Sequence, residues 1–402
     1  MKIAKIETVR LDEFPNLSWL LVTADDGTVG LGETFFGARA IEAVVHETLA
    51  PQVLGQDALA IEKHARTLLQ NYVGFKSTGA EVRAASAFDI ALWDLFGKAT
   101  EQPVYQLLGG ACRDRLRAYN TCAGYQYVRK KPTQATANWG ISAELSDGPY
   151  EDLHAFLHHA DELAESLLAE GYRGMKIWPF DYAAEASGGT DISAAELRRA
   201  LEPFEKIRKR VGDRIDIHVE LHSMWKLPAA IKIAKALEPF DPYWYEDPIR
   251  MSNLDALKEF HDSTRVWTTA SETLSTRWAF RDLFTRQACS VAMLDVGWCG
   301  GLSEAKKIAT MAEAFELPVA PHDCTGPVLL TASVHLSTAS PNFLVQEVVR
   351  AAYFGWYQEL VDGLPPLADG SIAPRQVPGL GVSLKPEVLR RADATVVAST
   401  AS

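Results

Sequence analysis

From about residue 115 to residue 349 the chain alternates short apolar runs with amphipathic helical stretches, and this rhythm limits the fold more than any other feature. The runs RLRAYNT, GMKIW, RIDIHVEL, DPYWYE, WTTASE, SVAMLDV, PVAPH and FLVQE are separated by segments such as EDLHAFLHHADELAESLLAE, ELRRALEPFEKIRKR, LPAAIKIAKAL and LSEAKKIATMAEAF. Short strands alternating with helices form parallel sheets through right-handed crossovers. Eight such units point to a (β/α)8 barrel of the α/β class, with an open doubly wound sheet as the alternative.

Residues 1–114 read differently. KIAKIETVRL and WLLVTADDGTVGLGET form an antiparallel meander with Asp26-Gly27 as its hairpin turn, and helical spacing follows from about Arg39 to Lys98. This is a compact α+β unit. Residues 350–402 are rich in Pro and Gly (GLPPLADG, VPGLG) and are expected to pack back on it. The expected organisation is therefore 1–114, 115–349 and 350–402. Residues 123–149 break the rhythm as an insertion after the first barrel strand, on the face where such barrels carry their chemistry.

Charge narrows the partners. Lys+Arg number 40 against 52 Asp+Glu, a net charge of −12 that repels phosphate backbones and anionic lipid. Neither nucleic acid nor a membrane is an expected partner. MKIAKIETVRLDEF is too charged for a secretory signal, and no stretch reaches the roughly 18 apolar residues of a membrane span, so cytoplasmic placement is expected. The five cysteines contain no Cys-x-x-Cys pair and read as reduced, small core residues.

The strand ends carry polar residues in phase. Glu220, Glu246, Glu272, Asp295, His322 and Glu347 close successive strands at separations of 26, 26, 23, 27 and 25 residues, one β/α unit each. All six therefore project into one mouth of the barrel. Glu220, Glu246 and Glu272 would repel one another there unless a cation sat between them, and all-oxygen ligands select a hard divalent ion, Mg²⁺ first and Mn²⁺ second. Zinc through His218, Glu220 and His222 is the rival. The two histidines, four residues apart, lie about 13 Å apart along an extended strand, too far to share an ion, so His218 reads as a structural residue lower in the barrel.

Asp295 and His322 on adjacent strands can form a proton-abstracting dyad, the carboxylate orienting the imidazole and raising its basicity. His222 at the rim is a candidate second proton carrier. Lys176, ending GMKIW, can stabilise a developing enolate or bind a carboxylate oxygen.

This set resembles the enolase superfamily, in particular the mandelate racemase/muconate lactonizing enzyme family. AASAFDIALWDLFGK, with Asp89, Trp93, Asp94, Gly97 and Lys98, resembles that family's helical signature. The resemblance covers nearly the whole chain. It implies a capping α+β domain on a modified TIM barrel, with Glu220, Glu246 and Glu272 as metal ligands, Asp295 and His322 as the His/Asp dyad and Glu347 as the last-strand carboxylate. It also implies a homo-oligomer and Mg²⁺-assisted removal of the proton next to a small-molecule carboxylate.

One departure selects a subclass. Members with a lysine base on the second strand carry Lys-x-Lys, whereas this chain has Lys176-Ile177-Trp178, and tryptophan cannot be that base. Glu220-Leu221-His222 instead resembles the carboxylate-x-His pattern of the acid-sugar dehydratases. The resemblance thus implies loss of water from an aldonate or aldarate to give a 2-keto-3-deoxy acid. The alternatives are an epimerase or racemase using His222 and His322 on opposite faces of one carbon, and a non-catalytic binding protein. Specificity is expected in the cap loops Phe14 to Trp19 and Tyr72 to Thr78, with Tyr125 to Trp139 closing over the site.

Overall fold

The computed structural model describes residues 1–70, 78–127, 129 and 150–401. Strands β1 (Ile3–Leu11), β2 (Leu17–Ala24) and β3 (Val29–Phe35) form the antiparallel meander. At its hairpin the Asp26 carboxylate accepts the Thr28 N–H at 2.9 Å, and Gly27 takes φ 88°. Helix α1 (Ala80–Ala99) lies across β3. A side chain at Gly30 or Gly32 would run into the carbonyl groups of Ala91 and Ala87, so the Gly-Leu-Gly of the strand and the alanines of the helix are one packing device.

The barrel staves are β4 (Leu116–Thr121), β5 (Gly174–Ile177), β6 (Asp216–Glu220), β7 (Trp244–Glu246), β8 (Trp267–Ala270) and β9 (Val291–Ala292), each parallel to the next. Val319 bridges Ala292 on one side and Phe343 on the other, and β10 (Gln346–Val348) returns to β4. The ring is therefore closed, which excludes the open sheet. The seventh stave is reduced to its bridge at Val319, because Pro318 and Pro321 remove N–H donors on either side. Six of the outer helices are α2 (Ala160–Ala169), α3 (Ala194–Val211), α4 (Leu227–Leu237), α5 (Leu254–Asp262), α6 (Thr276–Thr285) and α7 (Gly301–Ala314). With α8 (Pro327–Thr338), they cover the ring. After β10 the described residues form no α-helix longer than the single turns Arg350–Tyr353 and Tyr357–Leu360, which makes the barrel a modified one. The last strand, β11 (Ala394–Thr400), pairs antiparallel with β1, extending the cap sheet.

The helical signature ties cap to barrel. The Asp89 carboxylate accepts the Ser303 N–H at 2.9 Å and its hydroxyl at 2.5 Å, the Trp93 indole donates to the same hydroxyl, and Ser86 accepts the Gly300 N–H. Asp94 binds Lys98 and accepts the N–H groups of Leu31 and Leu380, while Gly97 leaves room for the backbone of Gly379. Those residues hold three parts of the chain together at one end of α1.

Candidate active site

Lys176 lies within β5, Glu220 and Glu246 end β6 and β7, and Glu347 lies within β10. Glu272, Asp295 and His322 stand two or three residues past the last paired residue of their staves, so these three do not close strands; they sit on the loops that begin above them. All seven nevertheless meet at the C-terminal mouth of the ring.

The carboxylates of Glu220, Glu246 and Glu272 offer oxygens within 4.8 Å of one another. The Lys176 ammonium lies 2.5 Å from Glu246, 2.8 Å from Glu347 and 3.4 Å from Glu220. Glu220 also accepts the N–H groups of Leu221 and His222 at 2.9 and 2.6 Å, and Glu246 accepts the Trp244 indole N–H at 3.0 Å. Glu347 accepts the Thr121 hydroxyl and the Asp323 N–H. Burial, with the charge of Glu220 added, drives the Glu246 carboxyl well above its usual range. Burial also opposes ionisation of Glu347, but Lys176 and His322 outweigh it and hold that group at about 2. Three clustered carboxylates, Glu220 and Glu246 buried and Glu272 partly so, with Glu246 unwilling to ionise unaided, form a donor set that fits a hard divalent cation, Mg²⁺ or Mn²⁺. The zinc alternative is not assembled. His218 stacks on Tyr119 at 4.4 Å and meets the edge of Trp244 at 4.1 Å, and burial lowers its pKa well below the ordinary range.

His322 Nδ1 lies 2.7 Å from Asp295, whose other oxygen accepts the Gly297 N–H. Its Nε2 faces Glu272 at 3.0 Å and the Cys324 thiol at 3.2 Å, and the Tyr127 hydroxyl lies 3.2 Å from that sulfur. Burial disfavours the imidazolium, yet Glu272, Cys324, Glu347 and the Asp295 hydrogen bond raise the pKa well above 6.5. The oriented, basic imidazole expected from the sequence is present.

His222 is not on the strand face. β6 ends at Glu220, and His222 and Ser223 take φ 48° and 56°, a left-handed turn that swings the imidazole against Asp181, 2.8 Å away, and edge-on to Trp178. Burial opposes the charge, but Asp181 and Glu220 raise the His222 pKa to about 9. β6 and the seventh stave are four places apart in a ring of eight, so the two histidines face each other across the mouth.

Asp181, which opens the short helix Asp181–Ser187, and Asp247 and Thr121, which line or support the site, carry no periodic signal in the sequence. Nor are all five cysteines the core residues expected from the sequence. Cys324 lines the mouth and Cys112 is exposed, because both sit on loops where no packed face claims them; all five thiols are free. A cavity of about 400 Å³ opens above these groups, walled by Phe36, Tyr127, Trp178, Met224 and Trp298. Phe14 and Trp19 are buried away from it, the Trp19 indole bonding Glu33, and Phe36 is the described cap residue that lines it. Of the other two expected specificity segments, residues 72–77, 128 and 130–139 lie outside the described residues, as does the insertion up to 149.

A closed, modified (β/α)8 barrel with an α+β cap and a carboxylate cluster flanked by two histidine dyads defines a metal-assisted acid/base enzyme class. Residues 13–109 match the mandelate racemase/muconate lactonizing enzyme N-terminal domain, and residues 159–388 match the enolase C-terminal domain-like family. The chain belongs to the mandelate racemase/muconate lactonizing enzyme family of the enolase superfamily. It is 51% identical to an enolase of the mandelate racemase subgroup from Agrobacterium tumefaciens, whose crystal structure superposes with a TM-score of 0.88 over 100% of this chain and 99% of that one. D-galactonate dehydratase from Xanthomonas campestris pv. campestris is 30% identical over 98% of this chain and 94% of its own length. D-galactonate dehydratase from Ralstonia nicotianae is 31% identical over 96% and 92%. Among the described residues no helix is long and apolar enough to cross a membrane.

Proposed function

We propose that this protein is a Mg²⁺-dependent dehydratase of a sugar acid, the class to which its D-galactonate dehydratase relatives belong. The observation that carries the reading is the pair of opposed dyads, His322 with Asp295 and His222 with Asp181, on either side of the carboxylate cluster. Glu220, Glu246 and Glu272 would hold the cation, which when bound supplies positive charge at the substrate carboxylate. Lys176, fixed by Glu347, adds an ammonium at the same oxygens. His322 takes the α-proton, and its electron pair becomes the enediolate. As that collapses, the bond to the 3-hydroxyl breaks and His222, protonated at neutral pH by its carboxylate neighbours, gives its proton so that water leaves. The enol tautomerises to the 2-keto-3-deoxy acid.

The same opposed histidines could serve an epimerase, delivering a proton to the face opposite the one attacked. A screen of acid sugars with Mg²⁺, scored by semicarbazide absorbance and by proton NMR in D₂O, separates the two. Metal-dependent keto acid from a few stereoisomers is expected; α-deuteration of both epimers without keto acid would replace dehydration by epimerisation. We further propose the boundaries 1–114, 115–349 and 350–402, a cytoplasmic setting, and assembly into a homo-oligomer, which light scattering on the purified protein tests directly.

A further inference from the structure

Cys324 stands two residues past His322, on the loop between the seventh stave and α8, and the reaction described above gives it no task. Its sulfur lies 3.2 Å from His322 Nε2, and Glu347 brings a carboxylate oxygen within 4.8 Å of both ligand atoms. His322 and Cys324 line the cavity, so an ion in the mouth reaches them from solvent.

These donors differ in kind from the oxygen set beside them. Glu220, Glu246 and Glu272 offer only hard oxygens, whereas a thiolate with an imidazole selects borderline and soft divalent ions, Zn²⁺ first. Bonds of ~2.0–2.3 Å place neighbouring ligand atoms of a tetrahedral zinc about 3.3–3.6 Å apart, close to the 3.2 Å between sulfur and nitrogen. The surroundings are those of a zinc ligand set. Asp295, 2.7 Å behind Nδ1, leaves Nε2 as the ligating nitrogen, the carboxylate–histidine pairing that orients imidazoles on zinc. The Tyr127 hydroxyl, 3.2 Å from the sulfur, is placed to donate to a thiolate. Lys176, Thr121 and the Asp323 N–H use three of the roughly four acceptor sites of the Glu347 carboxylate. Binding displaces the thiol proton, and any proton on Nε2, to solvent.

We propose that His322, Cys324 and Glu347 form a second metal site, for Zn²⁺ or a similar borderline-to-soft ion, and that filling it stops the reaction by occupying the nitrogen that takes the α-proton. The site stands on its donor set; its effect on turnover rests on the dehydratase reading above.

The test titrates Co²⁺, and then Zn²⁺, into the wild type and Cys324→Ser, with Mg²⁺ in excess to fill the oxygen set. A thiolate on Co²⁺ gives a near-ultraviolet charge-transfer band that oxygen and nitrogen donors do not. The band is expected in the wild type, where stoichiometric Zn²⁺ bleaches it, and is expected to be missing from C324S. Zn²⁺ affinity should fall by more than about 100-fold in C324S, beyond the loss that outer-shell changes cause. Serine keeps the shape of the side chain, the Mg²⁺-induced rise in unfolding midpoint checks that the C324S fold is intact, and the wild-type band is read without any variant. No band in the wild type, or one that persists in C324S and so arises at another thiol such as the exposed Cys112, overturns the site. Zn²⁺ is further expected to suppress keto acid formation and α-proton exchange together in the wild type. Undiminished exchange in protein that shows the band overturns the inhibitory role. Neither keto acid nor exchange with Mg²⁺ alone overturns the dehydratase reading instead, and the Co²⁺ spectrum still decides the site.

Discussion

At the scale of single residues, the two histidines do different jobs because their neighbours differ. His322 has Asp295 behind Nδ1 and turns Nε2 to Glu272 and Cys324 at the cavity, whereas His222 is held as an imidazolium against Asp181. Replacing each by asparagine therefore separates the steps. His322→Asn is expected to lose both keto acid formation and exchange of the α-proton with D₂O, by about 10²- to 10⁴-fold. His222→Asn is expected to lose keto acid formation by a similar factor while α-proton exchange persists, since abstraction does not need it. Equal loss of exchange in both variants would remove the acid role from His222. His322 was legible in the sequence through its phase with the preceding carboxylates. Asp181 was not, because it follows the second strand by a loop whose length no periodicity sets, and a contact made by a left-handed turn at His222 leaves no pattern in the chain.

Among the elements, α1 carries more than its length suggests. Its alternation of alanines against Gly30 and Gly32 was visible only as helix and strand; that the two cross at backbone contact depends on tertiary packing. Its Asp89 is the cap's grip on α7, and burial, against two hydrogen bonds from Ser303, raises that carboxyl to about 7. A folded pKa above the unfolded value of 3.8 means that the native state holds this proton more tightly. The contribution is therefore full below about pH 4 and is lost as pH rises through about 7, a swing of a few kcal/mol. Asp89→Asn keeps an acceptor for the Ser303 N–H and has no charge to bury. The stability of the wild type relative to D89N is expected to fall between pH 4.5 and 7.5, measured by urea unfolding at each pH. A difference that stays constant across that range would mean that Asp89 titrates as an ordinary carboxylate.

For the whole molecule, the closed ring puts its greatest electrostatic strain where its chemistry is. Glu220, Glu246, Glu272 and Glu347 converge in a chain of net charge −12, and Lys176 is the cation that touches three of them. Function here opposes stability, since a cluster built to hold a divalent ion is repulsive without one. Binding to the native state alone should then stabilise the fold by mass action, about 2.7 kcal/mol at a hundredfold excess over Kd. Mg²⁺ is accordingly expected to raise the unfolding midpoint of the wild type, and Glu220→Gln to abolish most of that rise. Lys176→Met leaves the carboxylates without their ammonium and should lower the midpoint in EDTA, at a cost of about 3–5 kcal/mol for a broken buried pair. Because the cation then relieves a larger repulsion, its stabilising increment in K176M should exceed that in the wild type. Differential scanning fluorimetry of the three proteins, with EDTA and across a Mg²⁺ titration, reads all of these shifts without reference to turnover. A Mg²⁺ increment equal in wild type and E220Q would place the ion elsewhere, and one that shrinks in K176M would make the lysine a partner of the bound ion, not its substitute.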